Sequence, residues 1–573
     1  MDANKNTGIL KGMNQKSIAE GVEIKRHFDR IAANPMESNT RLLLEILQDN
    51  KDTEYGKKYG FSDIKSVEEF QKKVPVSRYD DYAAELWEMT EKGVENLICA
   101  YPINHYNKSS GTMGNPKRIP MSEKAIETFN KYVTKYSYAI LNENLDDSWQ
   151  EGKSFCITES VDSIPTLPCG ASYGALSQKT MIKFRPYLEL MYTSPDEAIF
   201  PLSDTNTRYI HARFGLMDAD IGLFSSSFFS YGAEMLRYIE HNWKMLVDDI
   251  RNGTIDDSVR MSDTVRENLM KKIKPMPERA DELEKIFSQG FSEPFMPKVW
   301  KKMRYIQGVG TGGFKAYAQM IKEKYSGNDI PQLKVGLTAS EGVFSIPIGM
   351  DRDDTALIPD SVFYEFLPLE AGDDFSQIVT IDKVEPGKKY EMIVTNTSGF
   401  YRYRMRDAIL IVGKYLETPT IEFLHRIDQT VSIMGEKTTE DALRMAVENT
   451  TKQLDIELVD FSMYPDIDSS PVRYVFFMEF AKIPDGIKPK EIRYVLERNL
   501  AKANPSMGEK VKKGICGPTK LNFLEEESYS LYRDLMISRG TAAAQLKPVC
   551  VISNEVQRKF FFGLTEYGVD GKK

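Results

Sequence analysis

A chain of 573 residues is too long for one compact core, so one large domain with at least one smaller partner is expected. Its composition, 41% hydrophobic and 28% charged, is that of an ordinary globular protein. A net charge of −9 and a pI near 5.5 argue against a general nucleic-acid binder, though backbone N–H groups with a few cations can still bind an anion on an acidic protein. The five cysteines (Cys99, Cys156, Cys169, Cys516, Cys550) are scattered, without metal-ligand or Cys-x-x-Cys spacing, and favour a reducing compartment over a disulfide framework. The N-terminal stretch lacks the apolar core of a signal peptide, and no apolar run is long enough to span a bilayer. A cytoplasmic protein without membrane or nucleic-acid partners is expected.

In chain order, the first hundred residues read as mostly helical, with an amphipathic stretch around Thr40 to Leu47. The clearest helix is YGAEMLRYIEHNWKMLVDDIRNG. There Leu236, Ile239, Trp243, Leu246 and Ile250 recur at three- and four-residue steps, and Asn252-Gly253 supplies a stop. From Leu333 the pattern changes to short apolar runs: Leu333–Leu337, Val362–Leu367, Tyr390–Val394, Ala408–Val412 and Ile421–Leu424 read as strands. After Arg426 a small α+β unit is expected: strand Val431–Met434, helix Thr439–Leu454, strands Ile456–Met463 and Val472–Phe480, and helix Lys488–Ala503. A last pair of strands is placed near Leu521 and Val549. Thr438-x-x-Asp441 resembles a helix N-cap.

Several polar stretches are able to carry chemistry. SSGTMGNPK, Ser109 to Lys117, combines backbone-permissive Gly111 and Gly114 with the hydroxyls of Ser109, Ser110 and Thr112 and the cation of Lys117. That set suits phosphate, and it equally suits an exposed turn; it lacks Walker spacing. Thr338-Ala339-Ser340-Glu341-Gly342 follows an apolar strand, the usual ligand edge of an α/β sheet. Glu341 there is either an oxygen ligand for Mg²⁺ or an exposed glutamate. SGFYRYRMRD ends in Asp407, able to accept from two ribose hydroxyls or to pair with a neighbouring arginine. Arg426 and Gly435-Glu436-Lys437-Thr438 lie at the suspected junction, as hinge or as linker. Lys547, before a proline, is either an outward-reaching cation or a solvated lysine. No GxSxG elbow and no metal-spaced histidines occur; His105, four residues before Ser109, reads as structural.

In order and spacing these stretches resemble the acyl-acid-amido synthetases of the Gretchen Hagen family, part of the adenylate-forming superfamily. SSGTMGNPK is similar to its phosphate motif and TASEG to its second nucleotide motif. FYEFLPLE and TNTSGFYRYRMRD are similar to the strands entering its ribose motif, GEKTTE to the start of its C-terminal domain, and QLKPVCV to its last motif. The resemblance spans roughly residues 35 to 555. It implies a mixed α/β fold: a large N-terminal domain, 1–426, with a β-barrel and two sheets flanked by helices, and a small mobile C-terminal cap, 427–573. It also implies that ATP and Mg²⁺ activate a small carboxylic acid as acyl-AMP, which an amine, usually an amino acid, then captures. Ser109, Ser110, Gly111, Thr112, Gly114 and Lys117 would cradle phosphates, and Thr338, Ala339 and Ser340 would face the nucleotide. Glu341 would hold Mg²⁺, Asp407 and Arg426 the ribose, and Lys547 the reacting phosphate. Tyr173, Arg213, Phe228 and Tyr231 would wall the acid pocket, with Arg213 a partner for the carboxylate. Three positions depart from the family pattern: Leu337 stands for tyrosine, Arg406 for glycine and Val549 for arginine. The readings left beside this one are a ligase ending in a coenzyme A thioester and a nucleotide-binding protein without catalysis. Either a monomer or a homodimer is compatible with the sequence.

Overall fold

The computed structural model describes residues 3–108, 117–202, 205–427, 431, 433–434, 436, 438–539, 541, 546, 548–552 and 554–568. Two compact units emerge. The larger is built on Met1–Ser109, Lys117–Met405 and Ile409–Phe423, the smaller on Arg406–Ala408 and Leu424–Lys573. In chain order the first strands are β1 (Ile103–Lys108), β2 (Arg118–Ser122), β3 (Ser154–Ile157), β4 (Ser172–Gly174) and β5 (Leu223–Phe228). They are followed by β6 (Tyr305–Val309), β7 (Gln332–Lys334), β8 (Thr338–Ala339), β9 (Gly342–Val343), β10 (Ser345–Pro347) and β11 (Thr355–Leu357). Then come β12 (Phe363–Pro368), β13 (Val379–Thr380), β14 (Lys389–Thr395), β15 (Tyr403–Tyr415) and β16 (Thr418–Arg426). These strands form a three-stranded sheet β2-β1-β4, a parallel sheet β3-β5-β6-β7, the hairpin β8-β9, and a seven-stranded sheet β10-β11-β16-β15-β14-β12-β13. With helices between and around several sheets, the class is mixed α/β, as expected.

Three of the parallel sheet's four strands, β3, β5 and β6, have no counterpart among the strands expected from sequence. The sheet's members are short, and Leu223–Phe228 reads LFSSSF, with three serines masking the apolar signal. Its cover does match expectation. The helix Phe229–Asn252 buries Leu236, Ile239, Leu246 and Ile250, leaves Trp243 half-buried, and stops at Gly253 in the left-handed conformation, φ +67°. The first hundred residues hold the helices Ala3–Ala32, Pro35–Asp49, Glu54–Tyr59 and Val67–Lys73, in line with a mostly helical start. Of the expected strands, Val362–Leu367, Tyr390–Val394, Ala408–Val412 and Ile421–Leu424 fall on β12, β14, β15 and β16. Leu333–Leu337 ends early, at Lys334. The reason is Gly336, whose backbone runs against β10 so closely that a Cβ would meet the Ser345 carbonyl oxygen at 1.8 Å.

The small unit is a four-stranded sheet of β17 (Glu457–Asp466), β18 (Arg473–Lys482), β19 (Lys520–Leu524) and β20 (Thr565–Gly568), in that order. Alternation along β18 divides its two faces. Tyr474, Phe476 and Met478 pack with Leu443, Val447, Leu496 and Leu500 of the helices Glu440–Leu454 and Pro489–Ala503. Val475 and Phe477 pack on the opposite face with Tyr532 and Phe561. One sequence expectation is corrected here. The N-cap is Thr439, whose side chain accepts from the Ala442 N–H at 3.1 Å. Thr438 is instead buried, accepting from the Tyr474 hydroxyl and from Asn504, each at 2.8 Å. Val431 makes a bridge to Thr438, the rest of the expected strand Val431–Met434 falling partly outside the described residues, and near Val549 a bridge pairs Met463 with Val551.

Charge is taken into the core at the start of β15. Arg402 meets Glu365 of β12, itself wholly buried, with Nε and Nη2 contacts of 2.9–3.1 Å, and gives Nη1 to the carbonyls of Gln71 and Val74. Two residues on, Arg404 donates to Glu391 of β14 at 2.9 and 2.6 Å. The planar guanidinium with its fork of donors satisfies each carboxylate at two points, which makes such burial tolerable. Taking away one partner strands the other in a medium that cannot solvate it. Glu365→Ala is therefore expected to destabilise the large unit by about 3–5 kcal/mol, read as a lower urea midpoint for its transition.

Candidate functional site

Because β3, β5, β6 and β7 are parallel, their carboxyl ends share one edge, where α/β sheets receive ligands. From β7 the chain passes through Gly336 and Leu337. The Leu337 N–H donates to Ser345 Oγ at 2.8 Å and its carbonyl accepts from Phe344 at 2.8 Å. The hairpin β8-β9 rises from this anchored point, pairing Thr338 with Val343 and Ala339 with Gly342, so Ser340 and Glu341 form its two-residue turn. Leu337, the departure from tyrosine, packs partly buried against the main core.

Both peptide planes flanking Glu341 are gripped by amide side chains. Asn107 Nδ2 of β1 donates to the Ser340 carbonyl at 2.9 Å, and Asn396 Nδ2, just after β14, donates to the Glu341 carbonyl at 2.9 Å. Asn396 is itself fixed, since its Oδ1 accepts from the N–H groups of Ser398 and Phe400 at 3.0 and 3.1 Å. Ser398 Oγ in turn accepts from the Ser122 N–H at 3.0 Å, and Gly399, at φ +103°, lies so close to Ile98 that no side chain fits. Glu341 is only 7% exposed, and the Tyr403 hydroxyl approaches its carboxylate at 3.4 Å, a long contact. Its charge is felt at Tyr79, whose hydroxyl burial pushes up, with Asp80 and Glu341 adding to the rise and Arg118 opposing it. The Lys117 ammonium sits 5.0 Å from the centre of the Tyr79 ring. The structure thus gathers Ser340, Glu341 and Lys117 with three residues the sequence reading did not single out as site residues: Asn107, Asn396 and Tyr403. The last two lay inside TNTSGFYRYRMRD, where only the arginines and Asp407 drew notice. Nothing in the sequence marks Asn107.

In the small unit Asp407 is buried on β15 and accepts from Arg426 Nε of β16 at 3.1 Å. The two residues expected at the ribose are therefore in contact. Arg406, the departure from glycine, keeps a glycine-like backbone at φ +58°, a conformation that costs an L-residue about 1–2 kcal/mol. Next to Arg426, His425 Nδ1 lies 2.8 Å from Asp441 at the start of the helix Glu440–Leu454.

Of the expected pocket walls, Phe228 at the end of β5 stacks on Phe314 at 4.6 Å, with Tyr231 edge-on at 5.8 Å. Tyr173 lies half-buried on β4, on the three-stranded sheet. The Arg213 guanidinium is fully buried, donating to the Asp249 carbonyl at 2.9 Å and to the Tyr209 hydroxyl at 3.2 Å, with the Asp249 carboxylate 3.9 Å away. Ser109, Ser110, Gly111, Thr112, Gly114 and Lys547 lie outside the described residues, as do Gly435 and Lys437. Among the described residues no group of three or more His, Cys, Asp or Glu is placed to hold a metal, and no helix is long and apolar enough to cross a membrane.

Comparison with known proteins gives the chain's relatives. An indole-3-acetic acid-amido synthetase of Arabidopsis thaliana is 29% identical over 555 residues, covering 92% of each chain. A 4-substituted benzoates-glutamate ligase of the same plant is 28% identical, covering 92% of this chain and 94% of its own. A jasmonoyl-L-amino acid synthetase of Oryza sativa is 27% identical, covering 88% and 90%. The solved structure of the GH3.15 acyl acid amido synthetase superposes with a TM-score of 0.79 at 25% identity, over 94% of this chain and 95% of that one. The GH3 family N-terminal domain matches residues 24–331, the central domain 355–426 and the C-terminal domain 441–556, and the chain belongs to the GH3 family.

Proposed function

We propose that this protein is an ATP-dependent acyl-acid amido synthetase, which activates a small carboxylic acid as its acyl-adenylate and joins it to an amino acid or another amine. The observation that carries this reading is the match over 92% of the chain to ligases that join acids to amino acids. In the first half-reaction an oxygen of the acid's carboxylate attacks the α-phosphorus of MgATP and the bond to pyrophosphate breaks. In the second, the amine nitrogen attacks the acyl carbon, the bond to AMP breaks, and the amine gives up a proton. Neither half requires a covalent enzyme intermediate. The demands are alignment and neutralisation of charge that builds on phosphate.

The residues fit those demands. Glu341 offers a hard oxygen at a sheet edge for Mg²⁺, which is commonly held by one or two carboxylates and shared with phosphates. Thr338, Ala339 and Ser340 line the same turn and face the nucleotide. Asp407, oriented by Arg426, accepts from the ribose hydroxyls. Ser109, Ser110, Gly111, Thr112, Gly114 and Lys117 cradle the phosphates, and Lys547 brings a cation to the reacting phosphate as the C-terminal domain, 427–573, moves between the two half-reactions. Phe228, Tyr231 and Tyr173 serve as walls for the acid. The aromatic stack of Phe228 on Phe314 suits a flat or apolar acyl group.

Two substitutions test the assignment by acid-dependent exchange of labelled pyrophosphate into ATP. Lys547→Ala is expected to slow exchange by about 10²- to 10³-fold with ATP binding retained. Glu341→Gln is expected to raise the Mg²⁺ concentration needed for half-maximal exchange by about 10- to 100-fold. Exchange at the wild-type rate in both variants would remove these residues from the chemistry.

A further inference from the structure

The grip of Asn107 on the Ser340 carbonyl is the last link of a longer chain. β1 and β4 pair in parallel with His105 opposite Ser172 and Asn107 opposite Gly174. His105 and Asn107 are two residues apart on one strand, so their side chains share a face. Asn107 Oδ1 accepts from the Leu176 N–H at 3.2 Å, where the helix Leu176–Phe184 begins, which fixes the amide with Nδ2 toward Ser340. His105 Nε2 lies 3.2 Å from that same Oδ1, and an oxygen that only accepts requires Nε2 to carry the hydrogen.

His105 is wholly buried. Burial, with the charge of Lys179, pushes its pKa down to about 4 against the opposing pull of Asn107 and the carbonyls of Ser172 and Gly174. Near neutral pH the ring therefore has a lone pair on Nδ1, 2.9 Å from Ser172 Oγ, which donates to it. Ser172 Oγ accepts from the half-buried Lys179 Nζ at 3.1 Å. The Asn104 carbonyl, 3.2 Å from the same hydroxyl, competes for its hydrogen. With that hydrogen on His105, every link points one way: Lys179 to Ser172, to His105, to Asn107, to the Ser340 carbonyl. Hydrogen bonds aligned in this manner polarise one another.

We propose that Lys179, Ser172, His105 and Asn107 form a hydrogen-bond relay that positions the Ser340–Glu341 turn for the nucleotide, a role that rests on the reading of that turn given above. The peptide joining Ser340 to Glu341 is planar, so holding its carbonyl on the Asn107 side directs the Glu341 N–H to the other side. Lys179 and Ser172 do not touch the turn; they act through His105 and Asn107.

The test uses the full-length enzyme with Lys179→Met, Ser172→Ala, His105→Gln and Asn107→Ala. Backbone hydrogen exchange of residues 338–343 is followed without ligand, beside kcat and KM in pyrophosphate exchange. The relay predicts several-fold faster hydrogen exchange at 338–343 even in Lys179→Met, with a melting temperature near that of the wild type. It predicts a KM for MgATP raised about threefold to tenfold, the size of one lost hydrogen bond, and an unchanged KM for the acid. Because the links act in series, Ser172→Ala combined with Asn107→Ala is no worse than Asn107→Ala alone. Unchanged hydrogen exchange at 338–343 across the variants, or additive effects in the double variant, would overturn the relay. If 338–343 responds as predicted while the wild type exchanges no pyrophosphate with any acid, the relay stands and the ligase reading falls.

Discussion

The large unit's site depends on one amide. Asn396 holds the Ser398 and Phe400 N–H groups with its oxygen and the Glu341 carbonyl with its nitrogen. It thereby joins the loop between β14 and β15 to the turn that carries Glu341. Through Ser398 the same loop reaches Ser122 at the end of β2. Three segments distant in sequence are fixed by a group that has no charge to neutralise. A neutral amide suits this place, because a carboxylate could not donate to the Glu341 carbonyl and a cation could not accept from the two N–H groups.

Charge is handled differently on either side of that hub. Arg402 with Glu365 and Arg404 with Glu391 are closed pairs, each charge answered inside the core. Arg213 with Asp249 is buried as a pair as well. Glu341 is buried with the Tyr403 hydroxyl 3.4 Å from its carboxylate, near the ring that carries Lys117. Asp407 is buried and matched to Arg426, whose side chain remains 39% exposed.

Much of this was legible in the sequence, for reasons of period and composition. The helix Phe229–Asn252 announced itself because its apolar residues keep to one side along most of its length, a pattern that only a helical period produces. The turn at Ser340–Glu341 was legible as a polar break after an apolar run. Of the parallel sheet only β7 was legible; β3, β5 and β6 were not, since LFSSSF carries too little apolar pattern and its partners in the sheet come from far along the chain. Asn107 and Asn396 were invisible for another reason: an asparagine in a strand or loop is commonplace, and only its partners distinguish it. Arg213 was named as a carboxylate partner from the resemblance alone, and nothing in the sequence showed that Asp249, thirty-six residues on, meets it across the helix pair. Thr438 and Thr439 show how fine the limit is, as adjacent threonines take opposite roles, one a buried acceptor and one a helix cap.

The most direct measurement of the central claim is to incubate the enzyme with MgATP and a panel of carboxylic acids in the absence of amine, and to seek the bound acyl-adenylate by mass spectrometry. The complex is then chased with amino acids or with coenzyme A. The account predicts an acyl-adenylate that persists until an amino acid arrives and then disappears as amide and AMP form together. No adenylate with any acid, despite bound ATP, would contradict it, and so would an adenylate consumed by coenzyme A alone.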